Sequence, residues 1–390
     1  MACYISSNNE RLYAAVESSF GRAAAITADA RIPAVKFAAK QRSERSVRRD
    51  KTGSRTFVGL PPNTRRLTEY EVKTYLTSWS NTASPPPYGA LAEGLLGSPP
   101  RLAAAPSIAS GSTAQSLKFS ESHNLEPGDA VSFGGEMRFV SGIVDATTVT
   151  VNAPFTVAPI PGSLSSPTVT YRPAEQIPSI SLYDFWSPAT AVQRFLCGAA
   201  VDEMRLLVNG DFHEFEFSGA ARDLVDSASF AAGTAALTSY PEEPAVGGFD
   251  YSIVPGHLGQ VWLGAIPSRF YTLTNAEVRV SNNVDLRDRE FGGGSNGCIA
   301  AGQRTVSLSF SLYERDDEAT KALYQAARQG SPISVMFQLG QQPGQLCGIY
   351  LSAVVPDVPE FDDQEQKLQW RFSDARAQGV NDDEVFLAFG

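Results

Sequence analysis

The residues that most invite chemistry are Asp50-Lys51-Thr52-Gly53, the core of the phospho-aspartate motif of ion-pumping ATPases. Arg45, Arg48, Arg49, Lys51 and Arg55 crowd around that aspartate. A carboxylate in such surroundings could attack a phosphoryl group. That chemistry also needs further aspartates to hold Mg2+ after parallel strands. The chain shows no βαβ alternation to supply them. It also has no run of about 18 apolar residues to span a membrane. Gly292-Gly293-Gly294 is not followed by Gly-Lys-Ser/Thr, so it is not a phosphate-binding loop. His123, His213 and His257 are isolated, with no H-E-x-x-H and no carboxylate pair at ligand spacing. No G-x-S-x-G occurs. No catalytic residue, metal ligand or cofactor site is expected, and the chain does not read as an enzyme.

The elements that carry these residues are mostly strands. Of 390 residues, 43% are apolar and 19% charged, enough for a substantial core and two or three domains. The 32 Gly and 25 Pro, with little helical periodicity, favour a turn-rich β protein. The N-terminus lacks the basic start and apolar run of a signal peptide. Cys3, Cys197, Cys298 and Cys347 are scattered, as expected of reduced thiols in a cytosol-folded protein.

Charge is uneven. Arg31 to Arg66 holds eleven Lys/Arg against Glu44 and Asp50, a net of +9. Glu314 to the C-terminus holds thirteen acids against six bases, a net of −7. Such asymmetry suits one face of a protomer meeting the opposite face of another, or a basic strip meeting nucleic acid. Phe57 is the lone aromatic between Arg42 and Arg66, which argues against a stacking nucleic-acid site.

The chain also repeats itself. Arg287-Asp288-Arg289 echoes Arg49-Asp50-Lys51, and Arg304 echoes Arg66, all 238 residues apart. After each late Arg comes a period-2 run, Thr68 to Leu76 and Val306 to Leu312, which predicts half-buried strands. Short helices ending in Gly follow, at 88–97 and 316–330. The second presents Ala322, Leu323 and Ala326 as its face. Leu196-Cys197-Gly198 then meets Leu346-Cys347-Gly348 at an offset of 150, and Phe215-Glu-Phe-Ser meets Trp370-Arg-Phe-Ser at 155. The fall from an offset of 233 at the helices to 150 implies about 83 extra residues in the first copy. Part of that excess, 112–172, alternates in short runs around a Gly134-Gly135 turn and reads as a small inserted β-domain.

In this order the features resemble the major tail tube proteins of long-tailed bacteriophages. The resemblance rests on Glu17-Ser-Ser-Phe-Gly21, the charged loop before a long strand, and the helix ending Leu95-Leu96-Gly97. It extends to Asn282-Asn283, Arg304 to Leu312 leading into an acidic helix, and the closing aromatic strand. It implies a mainly β fold, a β-sandwich or curled sheet with a short flanking helix per repeat, as two tandem tail-tube domains plus the insertion. The division would be an arm at 1–30, a first repeat at 31–111 and 173–226, and an inserted domain at 112–172 on the tube exterior. A linker at 227–267 and a second repeat at 268–390 would complete it.

The resemblance further implies rings of three chains with pseudo-sixfold symmetry, stacked into a tail tube that conducts double-stranded DNA without tight binding; the duplicated, insertion-bearing design leans toward a flexible rather than a contractile tail. Partners would be copies of the chain and the tail terminator, tape measure and distal tail proteins. The location would be the virion, assembled in the host bacterial cytoplasm. Between rings, the loops with Arg45, Arg48, Arg49, Asp50, Lys51 and Arg55, and with Arg287, Asp288 and Arg289, would dock on acids of the next ring at Asp357, Glu360, Asp362, Asp363 and Glu365. Alternatives are a tail terminator or distal ring protein, or a surface-exposed binding or adhesion module. The insertion holds no Trp and only Tyr171, which speaks against sugar binding.

Overall fold

A computed structural model describes residues 4–43, 51–56, 59, 66–78, 84–245, 251–285, 291 and 298–390. The protein is mainly β, with two α-helices among the described residues. Seven strands lie side by side, all antiparallel. Their order is Ala34–Ser43, Arg66–Tyr75, Glu214–Asp226, Arg194–Val208, Leu273–Ser281, Thr305–Tyr313 and Gln369–Gln378. Alternation explains their orientation. In the 66–75 strand Thr68, Tyr70, Val72 and Thr74 are buried, while Glu69, Glu71 and Lys73 face the other way. The 305–313 strand buries Val306, Leu308, Phe310 and Leu312 in the same manner. A half-buried sheet needs this period of two.

A second layer covers the apolar face. Ile180–Trp186 pairs with the first half of the 194–208 strand, and Glu10–Val16 pairs with 180–186. Ile333–Leu339 pairs with Cys347–Val355, and Gly259–Gly264 pairs with 333–339. Strands 10–16 and 259–264 thus lie within the segments read as arm and linker. Helix α1 (Gly89–Leu96) packs on the 194–208 strand. Gly94 allows that approach, because a Cβ there would sit 2.9 Å from Val201 and 3.1 Å from Ile180. Helix α2 (Glu318–Gln329) is capped by the Asp317 side chain, which accepts from Thr320 N, and by Gly330 at φ 60°. It buries Thr320, Leu323 and Ala327, whereas Ala322 is exposed. Of the expected face, Leu323 is buried and Ala326 packs against the core, while Ala322 lies outside it; Thr320 and Ala327, at i−3 and i+4 from Leu323, complete the buried stripe.

The two sets of strands share a pairing pattern. The 34–43 and 273–281 strands each slip register once, at Ala34/Lys36 and Leu273/Asn275, positions 239 apart. Strands 180–186 and 333–339 each slip once, at Ile180/Leu182 and Ile333/Val335. Those ladders correct one expectation. Leu196 lies opposite Leu182 and Leu351 lies opposite Val335, so Leu196 corresponds to Leu351, at 155. The Leu-Cys-Gly echo at 150 is a coincidence of letters, five residues out of register. Arg205 opposite Glu216 and Glu360 opposite Arg371 again give 155. The long 194–208 strand therefore corresponds to 347–355 together with the short strand Glu360–Asp362.

Within segment 112–172, residues 116–151 form their own four-stranded sheet, in the order Ser116–Lys118, Thr148–Val151, Glu136–Asp145, Ala130–Phe133, whereas Thr168–Tyr171 belongs to the large sheet, between Arg101–Ala103 and Phe386–Phe389. Gly134 and Gly135 make the expected hairpin turn, both with positive φ.

Candidate assembly surface

Across five of the seven strands, from 34–43 to 273–281, the polar face is a ladder of opposite charges, built because every second residue of each strand points there. Lys36 Nζ lies 2.8 Å from Glu71 Oε1, and Arg42 lies 3.4 Å from Glu69. Lys73 reaches Glu214 at 2.5 Å and Glu216 at 3.3 Å. Arg205 joins Glu216 at 3.4 Å to Glu277 at 2.7 Å, and Arg279 reaches Glu203 at 2.6 Å. Hydrogen bonding to Glu214 holds Lys73 above the usual lysine range. The Arg205 guanidinium holds Glu277 below the usual carboxylate range, and Glu203 raises Arg279. All three shifts favour the charged forms. Ala38, Lys40, Glu69, Glu71, Glu203, Arg205, Glu216 and Ser218 line a groove of about 460 Å3 on this face. Exposed pairs of this kind contribute about 0–1 kcal/mol each. They fix which strand sits beside which more than they hold the sheet.

Two of these pairs cross the boundary between the strand sets. Residues Glu203 to Val208 lie opposite Ala276 to Ser281, and Arg205–Glu277 and Arg279–Glu203 bridge the joint. Beneath them Leu206, Met204, Val278 and Val280 are buried. The buried Asn282 amide adds a brace, donating to Leu95 O at 2.8 Å and Val201 O at 3.1 Å.

The inserted sheet is fastened across the same boundary. Arg138 is fully buried and donates to Pro154 O, Met137 O, Gln338 Oε1, Gln260 Oε1 and Glu136. Its guanidinium also stacks over Trp262 and Phe155, at 5.0 and 5.1 Å. Burial pulls Arg138 down to about 10. Met137 and Phe139 pack with Trp262, Met336 and Phe386. Neither this joint nor the charge ladder was named from sequence. The ladder's trace was there in Glu69-x-Glu71-x-Lys73 and Glu277-x-Arg279; the joint left no trace, because its partners stand over 120 residues apart.

Among the acids singled out by sequence, Asp357, Glu360 and Asp363 are exposed. Asp362 is ion-paired with Arg371, and Glu365 accepts from the Tyr313 hydroxyl at 3.0 Å. The structure brings these five together around the 360–362 strand. Lys51 and Arg55 are exposed in a turn at 51–56. Arg45, Arg48, Arg49, Asp50, Arg287, Asp288 and Arg289 lie outside the described residues. His123 Nδ1 accepts from Leu125 N, and the buried His213 is shifted down by desolvation. Both sit in structural surroundings. Cys197 is buried, and its thiol is pushed up to about 12 by that burial. No group of acids, His and Cys suited to a metal ion occurs among the described residues, and no described helix is long and apolar enough to cross a membrane.

Glu17, from the Glu-Ser-Ser-Phe-Gly stretch, is buried and accepts from Gly21 N, Gly198 N, Ser179 Oγ and Ser181 Oγ. It ties the first strand to the 180–186 and 194–208 strands. Its part is architectural.

No protein-family model matches the chain, and no curated protein is significantly similar to it. Among solved structures it is similar to a chain of the SPP1 tail tube, determined by combined solid-state NMR and cryo-electron microscopy. The likeness has 15% identity, covers 35% of this chain and 79% of that one, and has a TM-score of 0.28.

Proposed function

We propose that this chain is a structural subunit that assembles with copies of itself into the tube of a bacteriophage tail. The reading rests on one observation above all. Two strand sets with the same pairing pattern already join side by side within a single chain, through Glu203 to Val208 and Ala276 to Ser281. A unit that binds its own likeness in this way can continue around a ring, and closure removes the open sheet edges. Two units per chain suit a ring of three chains with pseudo-sixfold symmetry. Rings then stack head to tail, a heterologous contact that does not close on itself.

In this reading the charged loops with Arg45, Arg48, Arg49, Asp50, Lys51 and Arg55, and with Arg287, Asp288 and Arg289, face the next ring. The inserted sheet sits outside. The tail terminator, tape measure and distal tail proteins bound the tube, and the assembled protein resides in the virion. Double-stranded DNA passes a wall whose cations are already matched by acids, so it is not held. Negative-stain microscopy of concentrated protein tests the reading. Hollow tubes with regular striations are expected; monodisperse monomers under all conditions would count against it.

A further inference from the structure

The internal joint has two unfilled counterparts. Strand 34–43 corresponds to 273–281 at an offset of 239, including the shared register slip. Residues 37–42 therefore match Ala276 to Ser281. The 360–362 strand corresponds to 205–207, so residues 358–363 match Glu203 to Val208. Within the chain, the described partner of 34–43 is the 66–75 strand alone, and that of 360–362 is the 369–378 strand alone. Both therefore present an open edge on the side where 276–281 and 203–208 meet.

We propose that 358–363 of one copy pairs antiparallel with 37–42 of the next, in the register of the internal joint. The inference rests on the self-assembly reading above and names its lateral contact. Carrying over Arg205 opposite Arg279 places Glu360 opposite Lys40, Phe361 opposite Ala39, and Asp362 opposite Ala38. The chemistry fits a second copy of this chain. Segment 34–43 carries Lys36, Lys40 and Arg42 and no acid; segment 357–365 carries Asp357, Glu360, Asp362, Asp363 and Glu365 and no base. Lys36 and Arg42 already touch Glu71 and Glu69, so Lys40, exposed and directly opposite Glu360, is the main cross-joint cation.

The apolar layer agrees. Leu206 is 0% exposed inside the internal joint, whereas its counterpart Phe361 is 57% exposed. Phe361 is held ready by stacking on Trp370, with centroids 5.5 Å apart and planes 6° from parallel. A neighbouring strand at the open edge would cover it. Pro356 and Pro359 keep the lone edge short, as edge strands must be to avoid indiscriminate pairing. The acids are thereby divided. Glu360 and Asp362 lie on the charged face of the lateral joint, Asp363 falls at its end opposite Phe37, and Asp357 and Glu365 lie beyond it.

Disulfide trapping tests the register. Lys40→Cys and Glu360→Cys are combined in full-length protein carrying Cys3→Ser and Cys298→Ser, with Lys40→Cys/Asp357→Cys as the out-of-register control. On oxidation, ladders of cross-linked chains are expected from the first pair and not from either single variant or the control. Glu360→Lys alone should raise the concentration needed for assembly about tenfold, and adding Lys40→Glu should restore it. Circular dichroism of each variant confirms that the chain still folds. If wild-type protein assembles yet the paired cysteines do not cross-link, the register is overturned while self-assembly stands. If the wild type stays monomeric at every concentration, both are overturned.

Discussion

At the scale of single residues, several charges are buried or half-buried, and their partners decide what they do. Glu10 shows this most clearly. Desolvation and then the neighbouring Asp184 raise its carboxyl from 4.5 to about 7. Arg194 takes Asp184 Oδ2, and the buried Oδ1 needs a hydrogen that a protonated Glu10 supplies. The folded chain therefore binds a proton between pH 4.5 and 7 that the unfolded chain releases. Stability from this group is full below about pH 4.5 and is lost as pH rises through about 7. Glu10→Gln keeps a donor beside Asp184 at every pH. Its urea midpoint should fall less than that of the wild type between pH 5 and 7.5; an unchanged slope would show that Glu10 is not the group responsible. This pair leaves no mark in the sequence, because Glu10 and Asp184 meet only through the pairing of strands 10–16 and 180–186.

At the scale of elements, what could be read from sequence was what local periodicity dictates. Thr68 to Leu76, Val306 to Leu312 and the two Gly-terminated helices form where their patterns place them. Strand 10–16 escaped, because Arg-Leu-Tyr-Ala-Ala-Val lacks clean alternation once both faces are covered. The Leu-Cys-Gly echo misled for a related reason: three matching letters carry less information than a bulge that recurs at equivalent positions. Close strand packing also leaves its own mark. A Cβ on Gly219 would lie 2.0 Å from Ala200 O, within the ladder between 194–208 and 214–226. Gly219→Ala should force those strands apart at a cost of about 2–3 kcal/mol, read as a lower urea midpoint. A midpoint equal to the wild type would mean that this ladder yields more easily than its geometry implies.

At the scale of the whole molecule, one chain contains a joint between two like strand sets and a clamp across it. Arg138, Gln260 and Gln338 form the polar part of the clamp, and Trp262, Met336 and Phe386 the apolar part. The inserted sheet is thus part of what sets the two halves at a fixed angle, rather than an ornament on a tether. A fixed angle is what a ring needs in order to close at one size. In the proposed lateral joint the acids are legible in the sequence because they lie in one continuous stretch, 357–365. Its proposed cation, Lys40, is harder to read because it lies within a strip whose other bases are more densely clustered, at 45–55.

In the proposed tube these chains join one another as their own halves join. Native mass spectrometry of the smallest closed assembly measures this most directly. A species of three chains, each of 41.8 kDa, is expected, with larger species in multiples of three. A chain that stays single at all concentrations, or that stops at a dimer, would contradict it.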